Sequence, residues 1–316
     1  EISCSLVGSE MCIRDRDEIA VLEMGISDFG EMTRLAQIAR PDTCVITNIG
    51  TCHLENLGDR DGVLKAKTEI FQSMKPNGHI VLNGDDDKLI TVREYNGVKP
   101  VFFGLNSERD VYADQIESKG LKGVACRIHL GEDAFDVLVP TPGIHMVYNA
   151  LAAAAVGRIY GLTIEEIRRG IESLETIRGR FKMIETDKFL VVDDCYNANP
   201  MSMKASLDVL HDGEGRRVAI LGDMGELGED EAALHEGVGI HAATCGIDAC
   251  VCVGDLAVHI AEAARKANPD FPVYYEKTRE SLLEHLNDYV QKGDTILVKA
   301  SHFMKFEEVV KALEEM

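Results

Sequence analysis

The sequence predicts an α/β protein built as two domains, about 17–176 and about 177–316. Three observations carry this prediction. Short apolar, β-branched runs alternate with helical patterns, the signature of largely parallel sheets covered by helices. In the second half, polar strings directly follow the apolar runs, at the carboxyl ends of strands, where open α/β sheets bind ligands. With 316 residues the chain can build two cores.

In the first domain, Ile19–Leu22 reads as a short strand ending at Glu23, and a helix runs from about Glu31 to Arg40, stopped by Pro41. A strand over Cys44–Ile49 leads into a turn-rich loop with His53 and Glu55, then a helix through Lys67. Around Lys67 the i−4, i−3, i+3 and i+4 positions are Val63, Leu64, Ile70 and Phe71, so this lysine projects from the apolar stripe. Lys65 lies about 200° round the same helix and reads as a solvated partner of Glu69. A lysine on a buried face is costly unless paired, neutral or modified. Either its ammonium snorkels to water, or it is a neutral amine open to carbamylation, which would make it an oxygen ligand for a hard metal.

His79–Leu82 is the next strand, followed by Asp85, Asp86 and Asp87, which suit a solvated helix start. Residues 100–140 read as strands (VFFG, VYADQIES, GVACRIHL, AFDVLVP). Pro142 then opens an alanine-rich helix carrying His145 and Asn149. The amide of Asn149 is either a local cap or a donor–acceptor pair able to read an adenine edge. A second helix spans Thr163–Leu174, with Thr163 and Glu166 forming a capping box. The domain joint is placed at 175–179, just before Arg180, a residue type suited to clamping phosphate.

The second domain predicts strands at Leu190–Asp193, Arg217–Leu221, Ala249–Val253, Val273–Tyr275 and Thr295–Lys299, each followed by a helix, the last from about Phe303. That alternation predicts a Rossmann-like domain. DCYNANP follows its first strand and GDMGELG its second. Asp194 can accept from ribose hydroxyls and Tyr196 can stack on a base, although a turn acid and a packing tyrosine remain open. Gly237-x-Gly239 lies inside a helical pattern and is discounted as a nucleotide loop.

Composition narrows the class. The chain is 45% apolar and 28% charged, as expected of a soluble globular protein. With 33 basic and 54 acidic residues its net charge is −21, which argues against nucleic acid and anionic membrane as partners. Nine cysteines form no C-x-x-C pair, so free thiols in a reducing, cytoplasmic setting are expected. No run of 18 apolar residues occurs, so no membrane insertion is expected. Residues 1–16 (EISCSLVGSEMCIRDR) fit no targeting signal and are expected to be a non-native leader resembling translated junction sequence.

The strings TNIG-x-x-HLE-x-LG and AK-x-EIF, with Lys67 fourteen residues after His53, resemble the central domain of the Mur ligases, the ATP-dependent amide-forming enzymes of peptidoglycan synthesis. DCYNANP joined to GDMGELG is similar to the branch that adds D-alanyl-D-alanine, the MurF type, and the likeness runs from about Asp17 to Met316. The resemblance implies a central ATPase-type domain followed by the Rossmann-like domain. It implies ATP and Mg2+ as cofactors, with UDP-MurNAc-tripeptide and D-Ala-D-Ala as substrates, and a monomer is expected. It further implies carbamylated Lys67 with His53 and Glu23 at the metal, and Lys67, His53 and Arg180 in catalysis. Asn149, Arg180, Asp194, Tyr196 and Asn199 would hold nucleotide, and Asp223, Glu226, Lys299 and Ser301 would hold substrate.

Two positions depart from the family's L-V-K-G-S-R pattern, Ala300 and His302, and Cys195 stands where serine is usual. No G-x-x-x-x-G-K-[ST] phosphate loop occurs, so the chain is expected to be the C-terminal two thirds of an enzyme and not to turn over ATP alone. A folylpolyglutamate-type or other sister ligase, a Rossmann oxidoreductase lacking its G-x-G-x-x-G, and a non-catalytic module remain alternatives.

Overall fold

The computed structural model describes residues 19–51 and 54–316. The suspected leader and His53 lie outside the described residues. Among the described residues, twelve strands form two six-stranded sheets.

The first sheet runs in chain order: β1 (Thr43–Ile46), β2 (His79–Asn83), β3 (Val101–Gly104), β4 (Val111–Ser118), β5 (Val124–Leu130) and β6 (Asp133–Val139). β1 to β4 are parallel, and β4, β5 and β6 form an antiparallel meander. The helices are α1 (Glu31–Ala39), α2 (Leu54–Leu57), α3 (Arg60–Thr68), α4 (Ile144–Ile159) and α5 (Ile164–Glu172). Alanines let α4 lie close on the sheet. Val147, Ala150, Leu151, Ala154 and Ala155 recur at helical spacing and are buried over the inward side of β5 and β6. The Thr163–Glu166 capping box is present at α5.

Several local expectations change. Ile19–Leu22 is irregular, not a strand, and Val21 is 85% exposed. An apolar run becomes a strand only where a neighbour completes its backbone ladder, and no described strand pairs with this one. β1 ends at Ile46 rather than Ile49, because side chains take over beyond it. Asn83 Nδ2 donates to the Thr47 carbonyl at 3.0 Å, and the Ile49 N–H donates to Asp86 Oδ2 at 2.8 Å. The C-terminal helix begins at Glu307 instead of Phe303, because Lys305 takes a left-handed φ of 54°.

The second sheet has the order β11-β10-β9-β12-β8-β7. Its strands are β7 (Lys182–Glu185), β8 (Leu190–Asp193), β9 (Arg217–Gly222), β10 (Ala249–Val253), β11 (Val273–Glu276) and β12 (Thr295–Lys299). All pairings are parallel except β7 with β8. Helices α6 (Pro200–His211), α7 (Glu231–Thr244) and α8 (Ala257–Ala267) cover one face, and α9 (Arg279–Tyr289) and α10 (Glu307–Glu315) the other. Helices on both faces explain why β10 and β12 are buried at every residue and read as continuous apolar runs. A side chain at Gly239 would meet the Ile260 carbonyl at 2.1 Å, so this glycine lets α7 and α8 pack closely. β9 lies between β10 and β12, so the chain departs on opposite sides of it. That reversal opens a crevice at the carboxyl ends of β9 and β12.

Candidate active site

Three loops meet at that crevice, and buried polar side chains knit them together. Lys299, at the end of β12 and only 3% exposed, reaches Asp194 Oδ2 at 2.6 Å and the Asn197 carbonyl at 3.1 Å. Ser206 on α6 donates to the same Asp194 oxygen at 2.7 Å. Ser301 accepts the Gly225 N–H on its hydroxyl at 2.9 Å and donates its own N–H to the Asp223 carbonyl at 3.0 Å. The Asp223 carboxylate takes the N–H groups of Leu256 and Ala257 at 3.1 and 2.7 Å, capping the start of α8. Burial pushes its carboxyl up, against those two hydrogen bonds. Gly254, at φ +126°, permits this approach, because a side chain there would lie 2.3 Å from Asp223.

One further support escaped the sequence reading. His235 is fully buried on α7 and takes the Met224 N–H on Nε2 at 2.9 Å, while Nδ1 faces the Glu231 carbonyl at 2.7 Å. The pair assigns the neutral tautomer with its proton on Nδ1. Burial holds this histidine below its ordinary value. A lone histidine on an otherwise apolar helix face was the signal available in the sequence. Of the residues expected to hold substrate, Asp223, Lys299 and Ser301 therefore carry structural bonds, while Glu226 is exposed in a left-handed conformation at φ 60°. Asn199 caps α6, accepting the Ser202 N–H. Cys195, buried, turns its thiol to Asp193 Oδ1 at 3.0 Å, and its pKa is raised by that burial.

At the joint between the sheets, the Gly179 N–H donates to Asp193 Oδ2 at 2.8 Å and its carbonyl accepts the Tyr196 N–H at 2.9 Å. This pins the hinge to the DCYNANP loop. The Arg180 guanidinium then lies over the Tyr196 ring, 4.6 Å from its centroid, and 3.7 Å from Glu23 of the first domain. Arg180 Nε is buried without a hydrogen-bond partner among the described residues. The His302 ring flanks Tyr196 at 5.5 Å. The expected nucleotide residues Arg180 and Tyr196 thus stand together with Glu23, from the expected metal set.

The first-domain residues are placed differently. Asn149 is exposed, and its amide makes one weak contact, 3.4 Å to Met146 Sδ. It is neither a cap nor a core residue. Lys67 is half-buried beside buried Val63 and Ala66, and its ammonium donates to the Asn48 carbonyl at 3.0 Å. Lys65 does not pair with Glu69 as expected, but lies over the Phe29 ring at 5.4 Å. Glu69 instead accepts the Gly30 and Thr33 N–H groups, capping α1 from a distant segment.

The aspartate run precedes a short 3-10 helix (Leu89–Thr91) instead of an α-helix, and Asp86 accepts the Lys88 and Leu89 N–H groups at its start. Asp85 binds the Leu105 N–H and Arg109, Asp86 binds the Ile49 N–H, and Asp87 makes a two-point pair with Arg60. Among the described residues, no group of three or more His, Cys, Asp and Glu could hold a metal ion.

Comparison with known proteins agrees with this arrangement. Residues 4–157 match the Mur ligase middle domain, and residues 179–302 match the Mur ligase, glutamate ligase domain. The UDP-N-acetylmuramoyl-tripeptide–D-alanyl-D-alanine ligase of Bacillus subtilis is 36% identical over 308 residues, covering 96% of this chain and 66% of the relative. That of Escherichia coli is 34% identical, over 94% of this chain and 66% of the relative. The structure of MurF from Acinetobacter baumannii superposes with a TM-score of 0.86 at 31% identity, over 96% of this chain and 66% of that one. MurF from Thermotoga maritima, solved in complex with ADP, superposes with a TM-score of 0.78 at 27% identity, over 92% of this chain and 65% of that one. The chain therefore spans about two thirds of the length of these relatives. With the two domain types matched in tandem and the same two-sheet architecture, the chain belongs to the Mur ligase family, to which it contributes a middle and a C-terminal domain of the MurF type.

Proposed function

We propose that the protein containing this chain is an ATP-dependent ligase that joins D-Ala-D-Ala to UDP-MurNAc-tripeptide. The observation that carries this reading is the Arg180–Tyr196–Glu23 group at the domain joint, with an unpartnered arginine donor, in a chain whose relatives bear that activity as their name. The γ-phosphoryl group of ATP passes to the tripeptide carboxylate, giving an acyl phosphate and ADP. The D-Ala-D-Ala amine attacks the acyl carbon, and the tetrahedral intermediate releases inorganic phosphate and a proton. Arg180 stays charged throughout and offers donors to the transferring phosphoryl oxygens. Asn149 holds the adenine edge and the Tyr196 ring bounds the nucleotide. Closure about the Gly179 joint brings the two domains onto the substrates.

The donor set suits Mg2+ in part. Glu23 is an exposed hard carboxylate with one loose ionic neighbour. Lys67 becomes an oxygen donor only when carbamylated, since its ammonium now donates to Asn48. Glu23, His53 and carbamylated Lys67 would hold the ion, which would neutralise charge on the phosphates. The substrates place the reaction in the cytoplasm, and among the described residues no helix is long and apolar enough to cross a membrane.

The test is phosphate release by the full-length gene product. Release that needs both UDP-MurNAc-tripeptide and D-Ala-D-Ala, and that is lost in Lys67→Ala, is the expected result. Release supported by a different amine, or by neither substrate, would replace the reading with a sister ligase or an unrelated ATPase.

A further inference from the structure

We infer that Tyr148 and Asp85 form a positioning pair that aims the Asn149 amide at the purine base. The inference rests on the reading of Asn149 as the adenine contact. Helix α4 starts without any side-chain cap, and Ile144 and His145 in its first turn are exposed. Among the described residues, no side chain from outside the helix hydrogen-bonds its first turn.

Tyr148 supplies a polar restraint from the position next to Asn149. Its hydroxyl donates to Asp85 Oδ2 at 3.2 Å. Asp85 is itself fixed, because it takes the Leu105 N–H at 2.5 Å and Arg109 Nε at 3.0 Å. The chain of bonds therefore runs from the ends of β2 and β3 to the second turn of α4. Burial, together with the Asp85 charge, pushes the tyrosine up to about 12, so the hydroxyl remains a donor across the physiological range. Asn149 follows about 100° further round the helix and is exposed, its amide contacting the Met146 sulfur and no other polar atom among the described residues. Fixing the rotation of the helix start fixes where that amide points. A primary amide offers one donor and one acceptor side by side. Adenine presents the complementary acceptor and amino donor, whereas hypoxanthine carries a carbonyl in place of the amino group.

The experiment measures ATP and ITP affinity of the full-length gene product and its variants Tyr148→Phe, Asp85→Asn, Asn149→Ala and Tyr148→Phe/Asn149→Ala. The expected result is that wild type prefers ATP and that Tyr148→Phe and Asp85→Asn weaken ATP about threefold to tenfold while leaving ITP unchanged. Asn149→Ala should remove the preference, and adding Tyr148→Phe to it should cost nothing more. Equal weakening of ATP and ITP by Tyr148→Phe, or the same loss with and without Asn149, would overturn the positioning role while leaving Asn149 as the adenine contact. If Asn149→Ala keeps the ATP preference, the adenine assignment fails first, and the positioning role fails with it. Tyr148→Phe removes a single hydroxyl, so its thermal midpoint verifies that the fold is retained.

Discussion

The crevice of the second domain and the face around Asn149 and Glu23 in the first carry the same kinds of polar residue and put them to opposite use. In the second domain Asp194, Asp223, Lys299 and Ser301 are bonded to one another or to backbone, and all but Asp194 are fully buried. In the first domain Glu23 and Asn149 are exposed and nearly unengaged. The comparison teaches that polar residues at strand ends divide into those that shape a site and those left open to a ligand. Burial and occupied hydrogen bonds separate the two.

The largest test of that division is Lys299→Met. It leaves the partly buried Asp194 carboxylate without its cation, and breaking such a pair costs up to about 3–5 kcal/mol. Urea unfolding should report this loss, and the double variant with Asp194→Asn should recover part of it. A stability change below about 0.5 kcal/mol, with activity lost, would move Lys299 to the ligand-facing group. Next in size is Gly254→Ala. A residue forced to φ +126° and 2.3 Å from Asp223 should destabilise by about 1–3 kcal/mol, read as a lowered thermal midpoint.

His235 sharpens the comparison through pH. Its value in the folded protein lies below that of an unfolded histidine, so the unfolded state binds more protons in between. Stability contributed by neutral His235 is full above about pH 6.5 and is lost as pH falls toward the folded value. Asp223, raised by burial, acts with the opposite sign, from the ordinary aspartate value upward. In His235→Gln the slope of stability just below pH 6.5 should flatten relative to wild type in urea titrations at stepped pH. An unchanged slope would remove His235 as a support of the GDMGELG loop.

The smallest stability effect belongs to Asn149→Ala, expected within about 0.5 kcal/mol of wild type because the residue is exposed, with adenine-nucleotide affinity lost in a direct binding assay. A clear drop in stability would place Asn149 among the structural residues and break the comparison at its strongest point.

The alternation of strands and helices was legible because it is written in local periodicity. β8, β9, β10 and β12 appear as largely continuous apolar runs, since each is covered on both faces, and Thr163 and Glu166 announce their capping box three residues apart. β7 escaped because Lys182–Glu185 is a half-buried edge segment with no apolar run or alternation. Ile19–Leu22 misled for the converse reason, having the composition of a strand but no partner among the described strands. For the site, the sequence by itself determined which residue types crowd the strand ends, and through DCYNANP and GDMGELG the family as well. Only the tertiary structure decided which of them are occupied. Lys299 finds Asp194 across 105 positions and Glu69 finds Gly30 across 39. A hydrogen bond depends on distance and direction in space, and separation along the chain carries neither.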